Sequence, residues 1–347
     1  MARLHNQFTD ALTNIEVNGA KQDRAIAAHT EIQGLLGDDP QLTEWGVNTR
    51  LIGSYSRHTA IYPGKDVDVF GRLENLDTSA TPREVYGRVE MALVDAYGHV
   101  DEGGRASPQD RSIKVDFPDP DDPSDEAAFA VDAVPAVRDG SHWAIPSKDR
   151  DLWAEPTGRW VTTDPERFGE LSSSLSTSSW SPSVGSQNAY KPIVKLMRQA
   201  RRIHLGDRRP GGLYVEFAAY EVWEARLVTG DEWDPLFAAT LRQVSDRFNR
   251  ALYDPLIDPG LGTPVEPSLE PSDWTDAANT FSRLAALADE ALDTDTCQAA
   301  VKWREILGEN SRGQVFPLPP GCDANGFPIG SIAAIGGTGS NEARRFG

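Results

Sequence analysis

One short segment, Leu51 to Leu73, constrains the fold of this chain more than any other, and it reads LIGSYSRHTAIYPGKDVDVFGRL. Asp66 and Asp68 stand in an alternating run that predicts a β-strand, so both side chains should lie on one face, roughly 6–7 Å apart. Two carboxylates so placed repel each other and are costly to bury without a partner. The run therefore predicts a sheet that presents a pair of acids.

A turn before this strand adds a second kind of group. The backbone N–H groups of the Gly53-Ser54 turn and the hydroxyl of Ser54 can bind a phosphate. A divalent cation would relieve the repulsion between the two carboxylates, and Mg²⁺ prefers oxygen ligands and commonly brings substrate phosphates. The turn and the strand together indicate a nucleotidyl-transfer site with Mg²⁺ (or Mn²⁺) as the cofactor.

A third acid lies further along the chain. Asp132 is the one charge in the apolar run AAFAVDAVPAV. An isolated carboxylate in a strand typical of a core needs a partner. A metal ion shared with Asp66 and Asp68 would be such a partner.

The motifs GSYSRHT, DVDV and VDAVPA, followed by WVTTDPERF and the basic segment NAYKPIVKLMRQARR, resemble the polymerase-β-like nucleotidyltransferases. Within that superfamily they are most similar to the bacterial cyclic-oligonucleotide synthases, the CD-NTases, relatives of cyclic GMP–AMP synthase and oligoadenylate synthase. The resemblance covers roughly residues 40–300. It implies an α+β fold, with a polymerase-β-like nucleotidyltransferase core on a mixed or antiparallel sheet plus a C-terminal helical domain.

The expected domain boundaries follow from the resemblance and from changes in composition. A nucleotidyltransferase core with a long N-terminal helix should occupy 1–170, and a helical domain that completes the nucleotide cleft should occupy 171–308. The remaining residues, 309–347, are rich in Gly and Pro and should form a tail.

The resemblance also implies an activity. Asp66, Asp68 and Asp132 would be the catalytic metal ligands, and the enzyme would join NTPs, ATP among them, into a cyclic di- or trinucleotide. Such products are second messengers in bacterial antiphage defence of the CBASS type. Two alternatives stay open: a linear nucleotidyltransferase that modifies RNA, protein or a small molecule, and a catalytically silent nucleotide-binding scaffold.

A stripe of cations is predicted on the basic helix. Lys191, Lys195, Arg198 and Arg202 fall within about 60° of arc at the helical periodicity, and Arg201 points off this stripe. We expect the first three to bind the phosphates of a nucleotide. The alternative is a surface stripe that pairs with acids of the same chain.

Two further residues are candidates for nucleotide binding. Arg57 follows the Gly-Ser turn and could reach a phosphate, although a structural salt bridge is an equal interpretation. Tyr214 follows a Gly-Gly pair and could stack on a base, or else pack into the core. Gly53 and Ser54 complete the predicted nucleotide site.

The composition excludes several classes of function. A net charge of −19 disfavours extended contact with nucleic acid, which depends on neutralising phosphates. There is no apolar run near 18 residues and no apolar stretch at the amino terminus, so we expect neither a membrane span nor a signal peptide. Two cysteines, Cys297 and Cys322, predict no disulfide framework and fit a reducing cytoplasm.

Hydrophobic periodicity predicts where the helices lie. A long amphipathic helix should cover residues 2–36, with a break near Gly19. A second should run from Thr81-Pro82 to about Tyr97. The carboxyl-terminal half should be helical over residues 187–204, 214–228, 232–253, 273–293 and 296–308.

The end of the chain suggests a protein partner. The tail is Gly-rich and finishes with Arg344, Arg345, Phe346 and Gly347. Some CD-NTases are joined through their carboxyl terminus by a ubiquitin-activating-like enzyme, and the resemblance extends that expectation to Gly347. The alternative is an ordinary disordered end, or one that docks back on its own core through Ile329, Ile332 and Ile335.

Overall fold

The computed structural model describes residues 4–17, 19–118, 128–265 and 269–329. Within these ranges, seven strands form one sheet in the order β1-β2-β5-β4-β3, with β6 pairing to β5 and β7 pairing to β6. The central pair β2 and β5 is parallel, and the other pairings of this sheet are antiparallel. The strands are β1 Val47–Ile52, β2 Asp66–Asp77, β3 Ala106–Pro108, β4 Ile113–Phe117, β5 Phe129–Asp139, β6 His142–Pro146 and β7 Trp160–Thr163. The mixed sheet that the sequence predicts is confirmed.

Helices cover this sheet and form most of the second half of the chain. They are α1 His5–Asn14, α2 Gly19–Asp38, α3 Pro40–Glu44, α4 Gly53–Ser56, α5 Pro82–Tyr97, α6 Pro165–Thr177, α7 Tyr190–Leu205, α8 Gly212–Glu224, α9 Trp233–Arg250, α10 Pro271–Leu292 and α11 Thr296–Leu307. Two 3₁₀ turns lie at Val100–Glu102 and Arg150–Ala154. Three short hairpins follow: β8 Ser183–Val184 with β9 Gln187–Asn188, β10 Ile257–Asp258 with β11 Thr263–Pro264, and β12 Glu309–Asn310 with β13 Gly313–Gln314.

The alternation of β2 explains its place at the centre of the sheet. Val67 and Val69 are fully buried and pack with Val131 and Ala133 of β5 under helices α2 and α5. Because strand side chains alternate between faces, the same backbone turns Asp66 and Asp68 to the opposite face. The apolar face therefore anchors the strand, and the polar face is left for function.

A second apolar core joins the helices of the carboxyl-terminal half, and α1 belongs to it. Phe8 is fully buried and makes edge-to-face contacts with Trp303 and Phe316, at ring-centroid distances of 5.0 Å each. The long helix predicted over residues 2–36 is thus two helices, α1 and α2, with the break beside Gly19 as expected. Of these two helices, only α2 packs on the sheet.

The five helices predicted in the carboxyl-terminal half are present as α7 to α11, with their ends displaced by a few residues. Helix α6 was not predicted. Its start carries a clear signal, because Asp164 accepts a hydrogen bond from the Arg167 N–H at 2.9 Å and Pro165 occupies the first helical position. The serine-rich remainder of α6 obscures the apolar periodicity.

One expectation about the cysteines was wrong. Cys297 and Cys322 form a disulfide, with their Cα atoms 5.3 Å apart. They meet because the segment after β13 folds back on α11, where the Gln298 side chain donates to the carbonyl oxygen of Gly326 at 2.9 Å. In the described ranges, none of the helices has the length and apolarity needed to cross a bilayer.

Candidate active site

The three predicted acids lie together on the two central strands. In the parallel register of β2 and β5, Asp68 is paired with Asp132 and Asp66 with Ala130. Adjacent strands lie about 4.8 Å apart, so the two paired carboxylates are neighbours. Asp66 is exposed, and Asp68 and Asp132 are half-buried. The structure thus brings all three acids to one place.

The electrostatics of these acids are those of like charges held close together. Burial, and then the charge of Asp132, raise the pKa of Asp68 to about 6, although the Arg57 guanidinium opposes the shift. Burial and the charge of Asp66 likewise raise the pKa of Asp132, against a hydrogen bond that Ser112 Oγ donates to Asp132 Oδ1 at 3.3 Å. Both shifts mean that the site, taken alone, resists holding its full negative charge.

This donor set fits a hard divalent cation. No three His, Cys, Asp or Glu side chains in the described ranges are close enough to form a metal cage by themselves. Mg²⁺ does not require such a cage, because it keeps several waters and takes further oxygen ligands from substrate phosphates. Asp66, Asp68 and Asp132 would hold the ion, and its charge would offset the repulsion that raises the pKa values of Asp68 and Asp132.

The Gly-Ser turn, which is the one-turn helix α4, packs directly against these acids. Gly53 has a φ of +71°, and a Cβ atom added there would lie 1.9 Å from Asp68 Oδ2. Any larger residue would therefore clash with the carboxylate as well as strain the backbone. The turn is closed by the Thr59 N–H, which donates to the Ser54 carbonyl oxygen at 2.9 Å. Glycine is required here by the close approach of the Asp68 carboxylate.

A cavity of about 900 Å³ opens over the acids and the turn. Its size suits a nucleotide-sized ligand. Aromatic side chains on the sheet and helices, Phe70, Phe168 and Phe217, contribute to its wall. Seven of the ten predicted site residues also line it: Gly53, Ser54, Arg57, Asp66, Asp68, Asp132 and Arg198.

The other three predicted residues lie outside the wall of this cavity. Lys195 Nζ forms an ion pair with Glu16 at 2.7 Å, and Lys191 Nζ lies 3.5 Å from Ser173 Oγ. Burial and then the charges of these two lysines lower the pKa of His58, so both lie beside the turn. Tyr214 packs with Phe217 and Trp274. Their roles in nucleotide binding stay predictions.

Two arginines of α7 extend the cationic wall. Arg201 and Arg202 line the cavity with Arg198, and burial together with the charge of Arg198 lowers the pKa of each. Arg201 donates to the carbonyl oxygen of Pro210 at 3.0 Å, and Arg202 donates to that of Tyr62. The sequence analysis placed Arg201 off the stripe and so did not predict that it lines the cavity. It does so because the cavity wraps around the end of α7.

A buried glutamate also escaped the sequence analysis. Glu216 of α8 lines the cavity, and it accepts hydrogen bonds from Arg57, Thr59 and Arg198. Of the two interpretations of Arg57, a phosphate contact or a structural salt bridge, the structure shows the salt bridge. The signal was available: Glu216 interrupts the apolar run LYVEFAAY, just as Asp132 interrupts its own strand. A lone acid in an apolar helix predicts a buried partner.

The fold matches known structures over most of its length. It superposes on the E. coli MS115-1 CdnC structure solved with ATP, with a TM-score of 0.66 and 15% identity, covering 90% of this chain and 98% of that one. Bradyrhizobium diazoefficiens CdnG, described as a CD-NTase and solved with GTP, gives a TM-score of 0.64 and 15% identity over 84% of this chain and 91% of its own. These likenesses establish the predicted fold class.

The sequence comparisons agree with the fold. The chain is 27% identical over 320 residues to the cyclic AMP-AMP-AMP synthase of Acinetobacter sp., a match that covers 87% of this chain and 83% of the relative. Residues 2–174 match the family described as the Second Messenger Oligonucleotide or Dinucleotide Synthetase domain. This span contains the Gly-Ser turn and all three acids. The chain therefore belongs to the family of second-messenger oligonucleotide and dinucleotide synthetases, the CD-NTases.

Proposed function

We propose that this nucleotidyltransferase makes a cyclic di- or trinucleotide from NTPs with Mg²⁺ or Mn²⁺ as its cofactor. One observation carries the proposal: three carboxylates on adjacent strands share a cavity with a Gly-Ser turn and a wall of arginines. Acids suit a cation, and arginines suit a polyphosphate. Nucleotidyl transfer needs both at one place.

The role of the acids would be to hold the cation beside the reacting hydroxyl. When bound, the metal would lower the pKa of the acceptor ribose hydroxyl and offset the charge of the leaving pyrophosphate. Asp132, paired with Asp68 across β2 and β5, would hold the metal on the side of the acceptor hydroxyl, and Asp66 and Asp68 would hold it from β2.

The remaining groups of the cavity orient the donor. Ser54 and the backbone of its turn would bind the outer phosphates, and Arg198, Arg201 and Arg202 would offset their charge from the helical side. The turn and α7 are ordered by the fold before a nucleotide arrives, so part of the ordering cost of transfer is met in advance. Catalysis then consists of positioning and electrostatics, with no covalent enzyme intermediate.

A trinucleotide made from ATP is the product we favour. The support is the similarity to the cyclic AMP-AMP-AMP synthase, whose name describes that product. Incubation with each of the four NTPs and with their mixture, followed by mass spectrometry and phosphatase treatment, tests this. A phosphatase-resistant product with the mass of a cyclic oligonucleotide is expected. A phosphatase-sensitive product would favour the linear nucleotidyltransferase instead.

The silent nucleotide-binding scaffold is the least supported alternative. It is disfavoured because the three acids, the turn glycine and the arginines are all in place around one cavity. Metal-dependent consumption of ATP would exclude it. Nucleotide binding without any consumption in Mg²⁺ or Mn²⁺ would support it.

We place this activity in the cytoplasm, in antiphage defence of the CBASS type, with a ubiquitin-activating-like enzyme acting at Gly347. Gly347 lies outside the described residues, so the sequence resemblance alone supports this partner. Coexpression with a candidate conjugating enzyme and ATP should yield a covalent adduct through Gly347. An adduct that persists after deletion of Phe346 and Gly347 would contradict the assignment.

A further inference from the structure

Glu216 forms an unusually complete set of contacts for a single buried carboxylate. Its side chain is 2% exposed, and Arg57 reaches it with two bonds, Nε to Oε2 at 3.0 Å and Nη2 to Oε1 at 3.1 Å. Thr59 Oγ1 donates to Oε2 at 2.9 Å. The bidentate geometry leaves the Arg57 guanidinium one orientation.

The same carboxylate also holds a second arginine from a different element. Arg198 of α7 donates through Nη1 to Glu216 Oε1, and the Arg198 side chain is 20% exposed, with its edge in the cavity wall. Arg57 comes from the turn after β1, and its guanidinium also lies 4.8 Å from the ring centroid of Phe168. Glu216 therefore ties the turn, the basic helix and α8 at one point.

The two guanidiniums also act on the acids of the sheet. They share the Glu216 carboxylate, and the positive charges of both oppose the rise in the pKa of Asp68. Both arginines line the cavity that also holds the Gly-Ser turn, so a phosphate chain bound there would lie beside two guanidiniums at once. Charge-assisted hydrogen bonds from arginine to phosphate are among the strong ones.

We propose that Glu216 is a positioning residue that fixes Arg57 and Arg198 side by side, so that both guanidiniums face the polyphosphate of the nucleotide together. Free arginine side chains would have to be ordered on binding, and holding them in advance removes that cost. This inference rests on the proposed function, because it assumes that a nucleoside triphosphate occupies the cavity.

The chain offers a matched control on the same helix. Glu221 of α8 pairs with Arg247, whose side chain is 5% exposed, and also accepts from the Ile257 N–H at 2.8 Å. Neither Glu221 nor Arg247 lines the cavity. Glu221→Gln thus breaks an arginine–carboxylate pair with the same loss of charge, away from the nucleotide, at a carboxylate whose side chain is 24% exposed.

The experiment measures the affinity of a non-hydrolysable ATP analogue and of AMP for the full-length wild type, Glu216→Gln and Glu221→Gln by calorimetry. A glutamine can accept from one guanidinium but presents its amide N–H₂ to the other, so Glu216→Gln should release one arginine. We expect its Kd for the ATP analogue to rise tenfold or more, with the Kd for AMP unchanged. Glu221→Gln should change neither value.

Two results would overturn the assignment: unchanged affinity for the ATP analogue, or an equal loss for the ATP analogue and AMP. If Glu216→Gln does not fold, Glu216→Asp retains the charge with a shorter reach and should show the same selective loss to a smaller extent. Wild-type affinity in Glu216→Asp would count against the proposal. Because binding is measured without turnover, a chain that binds the analogue but makes no cyclic product would refute the proposed function alone.

Discussion

The acidic cluster on the two central strands (Asp66, Asp68 and Asp132) and the arginine wall of the cavity (Arg198, Arg201 and Arg202) differ in how their charges are paired. Asp68 and Asp132 face each other across β2 and β5, and their mutual charge is one cause of a raised pKa. On the other side, Arg198 is held by Glu216 and Arg201 by a backbone carbonyl oxygen. The acids repel one another, whereas the arginines already have partners that orient them.

This difference predicts how each side responds to change. Neutralising an acid removes a ligand for the metal and relieves repulsion at the same time, so activity and stability should move in opposite directions. Removing a cation from the arginine wall takes away a binding contact and also frees its partner, so affinity and stability should fall together.

The largest effect is expected from the acidic cluster. Asp66→Asn combined with Asp68→Asn should lower nucleotide incorporation by about 1,000-fold or more, because a metal supplies several kcal/mol of charge stabilisation. Incorporation of labelled nucleotide is the measurement, with circular dichroism to verify folding. Asp139→Asn, on β5 but outside the cavity wall, is the control and should be near wild type. Retained synthesis in the double variant would remove the acids from the catalytic site.

The turn that touches the acids comes next. Gly53→Ala should reduce kcat by about 100-fold, because its Cβ would displace the Asp68 carboxylate and such misplacements of about 1 Å are costly. Gly185→Ala isolates the backbone term, since Gly185 also has a positive φ, +59°, but open space around its Cβ. The control should lose about 1–2 kcal/mol of stability and no activity. Equal activity in both variants would contradict the close-approach argument.

The arginine wall should give a smaller effect and a clear order. Arg201→Ala should weaken triphosphate binding about 10- to 100-fold, since a charge-assisted contact is worth about 1.5–3 kcal/mol. Lys195→Ala should cost less, because Lys195 is paired with Glu16 and lies outside the cavity wall. The helical stripe predicts the reverse order, with the larger loss for Lys195→Ala. Titration of both variants with a non-hydrolysable ATP analogue decides between the two orders.

The smallest effect concerns stability. The pKa of Asp68 is raised to about 6. In metal-free buffer the wild type should therefore lose stability as the pH rises from about 4 to about 7. Over this range Asp68 loses its proton, which the native state binds more tightly than the unfolded chain does. Asp68→Asn should remove part of that slope and be about 1–3 kcal/mol more stable at pH 7. Chemical denaturation at pH 4.5 and 7.5 measures both. A variant that is less stable than wild type at pH 7.5 would contradict the repulsion argument.

Much of the acidic cluster was predictable from local pattern. The alternation around Asp66 and Asp68 placed both on one strand face, and the lone charge of Asp132 in an apolar run marked it as a partner. The Gly-Ser turn and the five later helices also follow from short-range signals. The paired cysteines did not, because Cys297 and Cys322 meet only when the segment after α11 folds back.

Local periodicity is set by backbone geometry, so a few neighbouring residues suffice to predict which side chains share a face. Partnerships between distant residues have no such rule. Glu216 lies 159 positions from Arg57, and Glu16 lies 179 positions from Lys195. Packing of the helices against the sheet created these pairs, and with them the choice of which cations face the cavity. The positions of the acids and the turn thus follow from the local sequence pattern, while the arrangement of the cations depends on how the two cores pack together.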